Sequence, residues 1–199
     1  MNIDYRMDEG FMPGPEIYGL LPDHEIRRYI KITPFEVGVK RPGKISYGLS
    51  SYGYDARISN KFKIFSPMHG DVIIDPKSID ERVFFDFEGD VCTIPPNSYV
   101  LAETVEYFEI PRDVTAICLG KSSYARCGLI CNLTPLESEW KGKITVEISN
   151  AGPIPARLYA WEGAIQILFF RSPSPCEVSY ADKKGKYDNQ QGLVLAKVD

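Results

Sequence analysis

Two short stretches of the sequence hold the residue types best suited to chemistry on a charged ligand. Gly120–Arg126 combines a glycine, two hydroxyls and two fixed positive charges, a set that suits a polyanion such as a triphosphate. Further along, Ile144–Ile148 places one carboxylate, Glu147, in the middle of an apolar strand. Because strand side chains alternate, Thr145 and Glu147 share one face and the three apolar residues share the other. If the first face lines a pocket, Glu147 is a candidate base.

Composition limits the class of protein. The chain has 199 residues, of which 44% are apolar, enough for one substantial core. Lysine and arginine number 23 against 27 acidic residues, a net charge of -4, so we expect no nucleic-acid or membrane partner and only a local anion site. No run approaches the roughly 18 consecutive apolar residues that a transmembrane helix requires, and the first residues lack the apolar core of a signal peptide. We therefore expect a cytoplasmic location. The five cysteines lack paired spacing, which fits reduced thiols.

The elements that must position these stretches are predicted to be mostly short strands. Aromatic and β-branched segments alternate with Pro, Gly, Asn and Asp. The predicted strands are 62–65, 72–74, 82–85, 98–102, 114–119, 129–134, 144–150, 156–160 and 164–171. One short amphipathic helix is predicted at 23–30, closed by Pro34. This rhythm is typical of an antiparallel sandwich, jelly roll or barrel.

Two familiar motifs are excluded. Residues 120–122 look like the end of a phosphate-binding Walker loop, but that loop needs a glycine where this chain has Thr115. Zinc-dependent nucleobase deaminases carry H-x-E and P-C-x-x-C. Here the histidines are His24 and His69, and Cys176, which follows a proline, has no cysteine three residues on. A zinc-activated water is therefore not expected.

Four separated motifs resemble one known family. Gly120–Leu129 matches the pattern G-[RK]-S-[ST]-x-A-R-x-G of the dCTP deaminase branch of the dUTPase-like superfamily. It is accompanied, in the family's order, by Ile45–Arg57, Trp140–Glu147 and Lys186–Gly192. The first motif alone is shared with dUTPases, whereas the four together indicate the deaminase branch.

This resemblance implies a fold, a reaction and an assembly. The fold is mainly β, a distorted antiparallel jelly roll or β-barrel of the dUTPase-like (β-clip) type. It divides into an irregular arm at 1–20, a β domain at 21–175 and a tail at 176–199 that closes over the nucleotide. The reaction is hydrolytic deamination of dCTP to dUTP and ammonia, supplying dUTP for dUMP and dTMP synthesis. The resemblance also implies a homotrimer with active sites between subunits, Mg²⁺ bound through the triphosphate, no zinc, and dTTP as a candidate inhibitor.

The resemblance assigns roles to individual residues. Glu147 matches the proton-shuttling carboxylate, and Ser122 with Arg126 matches the pair that positions water and stabilises charge at C4 of cytosine. The positions that match substrate contacts are Lys121 and Ser123 for phosphate, Tyr124 and Ala125 in the same motif, Glu137 for the sugar or base, Thr145 and Val146 for the base, and Gln166, Tyr180, Lys186 and Gln190 for the nucleotide.

Physical reasoning adds two electrostatic expectations. Burial on an apolar strand raises the pKa of Glu147 while a nearby Arg126 lowers it, and the sequence leaves the balance open. Asp55 and Arg57 are expected to form an opposite-charge pair that anchors a strand in the sheet.

Two other functions stay open at this stage. A dUTP pyrophosphatase, or a bifunctional deaminase and pyrophosphatase, would use Glu137 or Glu139 to activate water against the α-phosphate. A non-catalytic binding module would keep the pocket as a nucleotide sensor. Glu147 argues against the binding module, because a carboxylate beside a polyanion costs binding energy.

Overall fold

The chain folds as a set of antiparallel strands with little helix. The structure is a computed structural model that describes residues 16–66 and 72–198. The strands are β1 (Gly19–Leu20), β2 (Lys31–Thr33), β3 (Gly48–Ser50), β4 (Gly53–Phe65), β5 (Phe84–Glu88), β6 (Val91–Ile94), β7 (Ser98–Glu109), β8 (Val114–Gly120), β9 (Leu129–Cys131), β10 (Lys141–Asn150), β11 (Ala156–Tyr159) and β12 (Gly163–Arg171). The helices are α1 (Asp23–Tyr29) and α2 (Ser122–Ala125), and a 3₁₀ turn spans Glu81–Val83. The mainly β prediction is confirmed.

Ten strands form one sheet that curls into a half-barrel. Its main path runs β1-β12-β4-β7-β10-β9; β2 joins β7, β3 and β5 join β4, and β8 joins β12. β11 and β6 form a separate two-stranded ladder. The long strands β4, β7, β10 and β12 curve around one hydrophobic core, which gives the sheet an inward apolar face and an outward face on which polar groups can stand.

The predicted helix is confirmed as α1. Acidic residues occupy its first turn and basic residues its last, an order that complements the helix dipole, and Ile26 is fully buried. The predicted helix, 23–30, ends one residue earlier, at Tyr29, and Pro34 is not what closes it. Ile30 is already extended, and Lys31–Thr33 pairs with β7 as β2, so the sheet ladder ends the helix first. No helix within 16–66 and 72–198 is long and apolar enough to cross a bilayer.

One predicted strand is wrong. Residues 72–74 have no regular structure, and Ile73 is 83% exposed. β-branched residues favour a strand only when a partner strand and a packed face are available, and this segment has no ladder partner in the described part of the chain. The remaining predicted strands lie within or overlap observed ones. Most of the predicted arm, residues 1–15, lies outside the described residues, and Gly19–Leu20 pairs with β12.

The strand β10 has the alternation expected from sequence. Ile144, Val146 and Ile148 are buried in the core, whereas Thr145 and Glu147 are only partly buried and face the other way. β10 pairs along its length with β7 and, at its end, with β9. β10 therefore lies next to the edge strand β9, and its outward face is held in place by the ladder with β7.

Candidate active site

A cavity of about 940 Å³ opens on the outward face of β10. Three parts of the chain build its wall: the segment 132–137 after β9, the strand β10, and the C-terminal tail, here defined as residues 176–198. Apolar residues of β5, of β7 and of the loop before β5 also line the cavity. These are Pro76, Ile79, Phe84, Tyr99 and Leu101. We call this space the Glu147 cavity.

Glu147 stands on the wall of this cavity, as its place on the polar face of β10 predicts. Leu101 lies directly opposite it on β7. Burial raises the pKa of Glu147 to about 7, and the one effect that lowers it is a backbone hydrogen bond. Arg126 does not affect the pKa of Glu147 within a single chain, so burial decides the direction of the shift that the sequence left open. A carboxyl of this pKa can accept and release a proton near neutral pH.

The tail docks on β10 beyond the end of β9. Lys143 N donates to Gln190 O at 2.8 Å, and Gln190 Nε2 donates to Lys143 O at 2.9 Å and to Thr145 Oγ1 at 2.6 Å. Gly142 permits this approach: its φ is 151°, and a Cβ there would meet Gln190 N and O at 3.0 Å. Val194 N also donates to Thr145 Oγ1, at 3.3 Å. These bonds bring Thr145 and Gln190 together at the cavity wall.

Three further predicted residues line the same cavity. The Tyr180 hydroxyl accepts a hydrogen bond from Tyr187 N at 3.0 Å, and the indole Nε1 of Trp140 donates to Tyr187 O at 3.0 Å. Lys186, adjacent in sequence, places its Nζ 5.6 Å from the Tyr187 ring centroid. Glu137 also lines the cavity, from the segment 132–137. The tail thus contributes one cation, Lys186, and two phenols, Tyr180 and Tyr187, to a cavity whose other polar groups include two carboxylates.

The motif after β8 forms a separate cluster. Its residues Ser122, Ser123, Ala125 and Arg126 are exposed. Tyr124 is buried instead, and its hydroxyl accepts a hydrogen bond from Tyr159 N at 3.0 Å. Arg126 Nη1 donates to Ser122 O at 3.0 Å. The buried tyrosine anchors the short helix α2, which leaves two hydroxyls and a guanidinium presented at the surface.

Lys121 connects this cluster to the sheet by an ion pair with Asp55 on β4. Gln166 lies opposite Asp55 in the β12–β4 register. The predicted Asp55–Arg57 pair is wrong, because Arg57 Nε instead donates to Glu106 Oε1 at 2.7 Å. Side chains two apart on one strand are separated by about 7 Å, so each of the two charges finds a nearer partner on another element.

The predicted site residues therefore fall into two groups. The side chains that line the Glu147 cavity are Glu137, Thr145, Glu147, Tyr180, Lys186 and Gln190. Val146 faces the core and pairs through its backbone with Ala102. Residues 121–126 and Gln166 do not line this cavity within the described part of one chain.

Sequence reasoning missed the apolar wall of the cavity and part of the tail. Tyr99 and Leu101 lie on β7, opposite Ser149 and Glu147. Alternation within the segment 98–102 would have placed them on one face, but only the strand register shows that this face adjoins Glu147. Residues 194–196 also line the cavity, and no pattern in that short apolar run indicates where it docks.

Comparisons with known proteins show the family of this chain. The family model described as dCTP deaminase-like matches residues 20–172. A dCTP deaminase of Acidobacterium capsulatum is 61% identical over 167 residues, which cover 84% of this chain and 91% of the relative. A dCTP deaminase of Granulibacter bethesdensis is 56% identical over 183 residues, covering 90% and 99%.

A solved structure supports the fold. The 2'-deoxycytidine 5'-triphosphate deaminase of Agrobacterium tumefaciens superimposes with a TM-score of 0.58 at 15% identity, covering 78% of this chain and 48% of that one. The match therefore spans about half of the solved chain and concerns the fold alone. On the family model and the sequence relatives together, this chain belongs to the dCTP deaminase-like family.

Proposed function

We propose that this chain is a dCTP deaminase, which converts dCTP and water to dUTP and ammonia. The observation that supports this most directly is Glu147, a partly buried carboxyl on a cavity wall whose pKa is raised to about 7. The sequence relatives described as dCTP deaminases support the choice of substrate.

In this proposal Glu147 handles every proton of the reaction. The Glu147 carboxylate takes a proton from water as the oxygen attacks C4 of cytosine, and passes it to N3 of the ring. The remaining hydroxyl proton then moves through the same carboxyl to the amino group, which leaves as ammonia while the C4 carbonyl forms. One group can serve all these steps if it lies about 3 Å from both water and ring.

The tail and the α2 cluster hold the triphosphate in this proposal. Lys186 and Gln190 are supplied by the tail of the subunit that carries Glu147. Among the described residues there is no group of three or more His, Cys, Asp or Glu side chains that could hold a metal ion. The resemblance to the deaminase family implies Mg²⁺ bound through the triphosphate, and in this proposal the metal enters with the substrate as Mg–dCTP.

We infer further that the working site joins two subunits of a homotrimer. Ser122, Arg126, Lys121 and Ser123 carry the donors that a tetrahedral intermediate and a triphosphate need, yet they lie outside the Glu147 cavity of their own chain. A head-to-tail ring of identical subunits would bring this cluster of one copy to the cavity of the next. Inhibition by dTTP and a cytoplasmic location stay predictions.

Product analysis tests the reaction. Purified protein is given Mg–dCTP, and ammonia, dUTP, dUMP and pyrophosphate are quantified. A deaminase releases dUTP and ammonia in equal amounts. Release of dUMP and pyrophosphate would indicate the bifunctional alternative, with Glu137 or Glu139 activating water at the α-phosphate. Binding of dCTP without any product would indicate a nucleotide sensor and would refute the proposal.

Complementation tests the shared site. Glu147→Gln and Arg126→Ala are each expected to be inactive alone. When the two variants are co-expressed in equal amounts, about one quarter of the sites in a mixed ring combine an intact Glu147 with an intact Arg126 from the neighbour. Recovery of about a quarter of native activity supports the shared site. A mixture as inactive as its components contradicts it.

A further inference from the structure

Arg112, in the turn between β7 and β8, uses all three of its guanidinium nitrogens to join the base of the tail to the turn before β10. Nη1 donates to Glu139 Oε2 at 2.7 Å. Nη2 donates to Asp182 Oδ2 at 2.7 Å and to Glu177 O at 2.9 Å, and Nε donates to Cys176 O at 3.2 Å. One side chain therefore joins Glu139, in the turn before β10, to the start of the tail and to the carboxylate of Asp182. Charge-assisted bonds of this fork geometry fix direction as well as distance.

The two segments that Arg112 joins also bond to each other. Tyr180 N donates to Ser138 O at 2.9 Å. Asp182 Oδ2, besides accepting from Arg112, accepts a hydrogen bond from Ser179 N at 3.0 Å and so closes a tight turn around Tyr180. The result is a fixed direction for the Tyr180 ring, which lines the Glu147 cavity.

The turn before β10 needs such an anchor. Glu139 has a φ of 63°, a left-handed conformation that costs energy for any residue with a Cβ. Its N–H donates to Ile110 O at 3.1 Å, and its side chain is held by Arg112. The turn leads directly into Trp140, whose indole donates to Tyr187 O and so reaches the tail a second time. Arg112 thus joins the turn before β10 to the tail, and both segments contribute residues to the cavity wall.

We propose that Arg112 is a positioning residue for nucleotide binding, which holds Tyr180, and through it Lys186 and Gln190, on the wall of the Glu147 cavity. Arg112 does not itself line the cavity, so it acts through the tail. This inference depends on the proposed function for the identity of the nucleotide. It predicts that loss of the guanidinium weakens binding of dCTP and leaves the chemical step at Glu147 nearly unchanged.

The test compares Arg112→Met with the native protein. Methionine keeps much of the apolar stem and removes every donor. We expect the KM and the Kd for dCTP to rise about tenfold with kcat within about threefold, the pattern of lost uniform binding. We also expect trypsin to cut faster after the tail residues Lys183, Lys184 and Lys186, because a released segment opens more often. Arg112→Lys, which keeps the charge but not the fork, should fall between the two.

Two controls keep this test decisive. Lys31→Met removes an exposed ion pair with Glu109 that makes no bond to Arg112 or its partners, and it should leave both KM and trypsin cleavage unchanged. If Arg112→Met does not fold, Asp182→Asn, which removes the charge of one partner carboxylate, should raise the KM and speed cleavage in the same direction.

The outcomes separate this proposal from the proposed function. A lower melting temperature with a native KM and native tail cleavage would mean that Arg112 is merely structural, and would overturn the inference. If the native protein binds dCTP but releases no ammonia, the proposed function fails, while the Kd for dCTP still decides whether Arg112 positions the tail. A tenfold loss of affinity in Arg112→Met beside an unchanged Lys31→Met supports it.

Discussion

Replacement of Glu147 by glutamine should remove activity and at the same time stabilise the folded chain above neutral pH. Glutamine has nearly the same shape but cannot take a proton from water. General acid–base groups typically contribute 10²–10⁴-fold to a rate, and Glu147 serves several transfers, so we expect kcat to fall by about 10³-fold or more. Affinity for dCTP should stay the same or improve, because a negative charge beside a polyanion is removed.

The stability gain follows from the raised pKa. In the folded chain the pKa of Glu147 rises from 4.5 to about 7 because of burial, so the folded state favours the protonated form. As pH rises from 4.5 to 7, the unfolded chain loses this proton first and the free energy of unfolding decreases. The full rise corresponds to about 3 kcal/mol, which the partial exposure of the group reduces to about 1–2 kcal/mol. Glu147→Gln should regain that amount at pH 8 and nothing at pH 4.

Urea unfolding and ammonia release, each measured from pH 4 to pH 9, check both effects. In the native protein, kcat/KM should rise with pH through an apparent pKa above 4.5 and no higher than about 7, because burial raises the pKa of Glu147 and the neighbouring subunit's Arg126 lowers it. This ratio reports the free enzyme. Glu88→Gln, at a carboxylate of β5 that accepts from Asn60, is the matched control and should change neither curve by much. An acid limb near pH 4.5, or a Glu147→Gln variant no more stable than native at pH 8, would refute the reasoning about burial.

Two other substitutions test how the fold supports the site. Arg57→Met should lower the free energy of unfolding by about 3–5 kcal/mol, because it leaves the fully buried Glu106 without its cation. Urea titration at pH 7 measures this. A loss below about 1 kcal/mol, the scale of exposed ion pairs, would contradict it. Gly142→Ala should raise the KM for dCTP about tenfold. A Cβ would meet the Gln190 backbone at 3.0 Å, and the φ of 151° is strained for alanine. A native KM in steady-state kinetics would show that the tail need not dock there.

Much of the fold could be predicted from the sequence because its signals are local. Alternation along 144–148 placed Glu147 opposite to the core side chains, and breakers located most strand ends. Residues 72–74 show the limit of such signals: three apolar β-branched residues read as a strand, but a strand exists only with a partner. The Asp55–Arg57 pair failed for a similar reason, since nearness in sequence said nothing of Lys121, which follows β8, or of Glu106 on β7, both far along the chain.

The candidate site was less predictable because contacts across the chain build it. The resemblance named Gln190 and Tyr180, and the structure places both on the Glu147 cavity. Neither the motifs nor the composition indicated Arg112, which binds four partners at the base of the tail. Its partners are 27 to 70 residues away in sequence, a separation at which pairing cannot be read from spacing.

What gives Glu147 its pKa is the register between β10 and β7. A slip of one residue would turn every β10 side chain to the other face and put the carboxylate into the core. The ladder shifts register between Lys143 and Thr145, and there Thr104 Oγ1 accepts a hydrogen bond from Ile144 N at 2.9 Å. Beyond this irregularity Glu147 faces Leu101, whereas the register on the other side of it would place Glu103 opposite Glu147. The irregular pairing at Thr104 therefore gives Glu147 an apolar neighbour in place of a second carboxylate, and burial sets the raised pKa of Glu147 within the single chain.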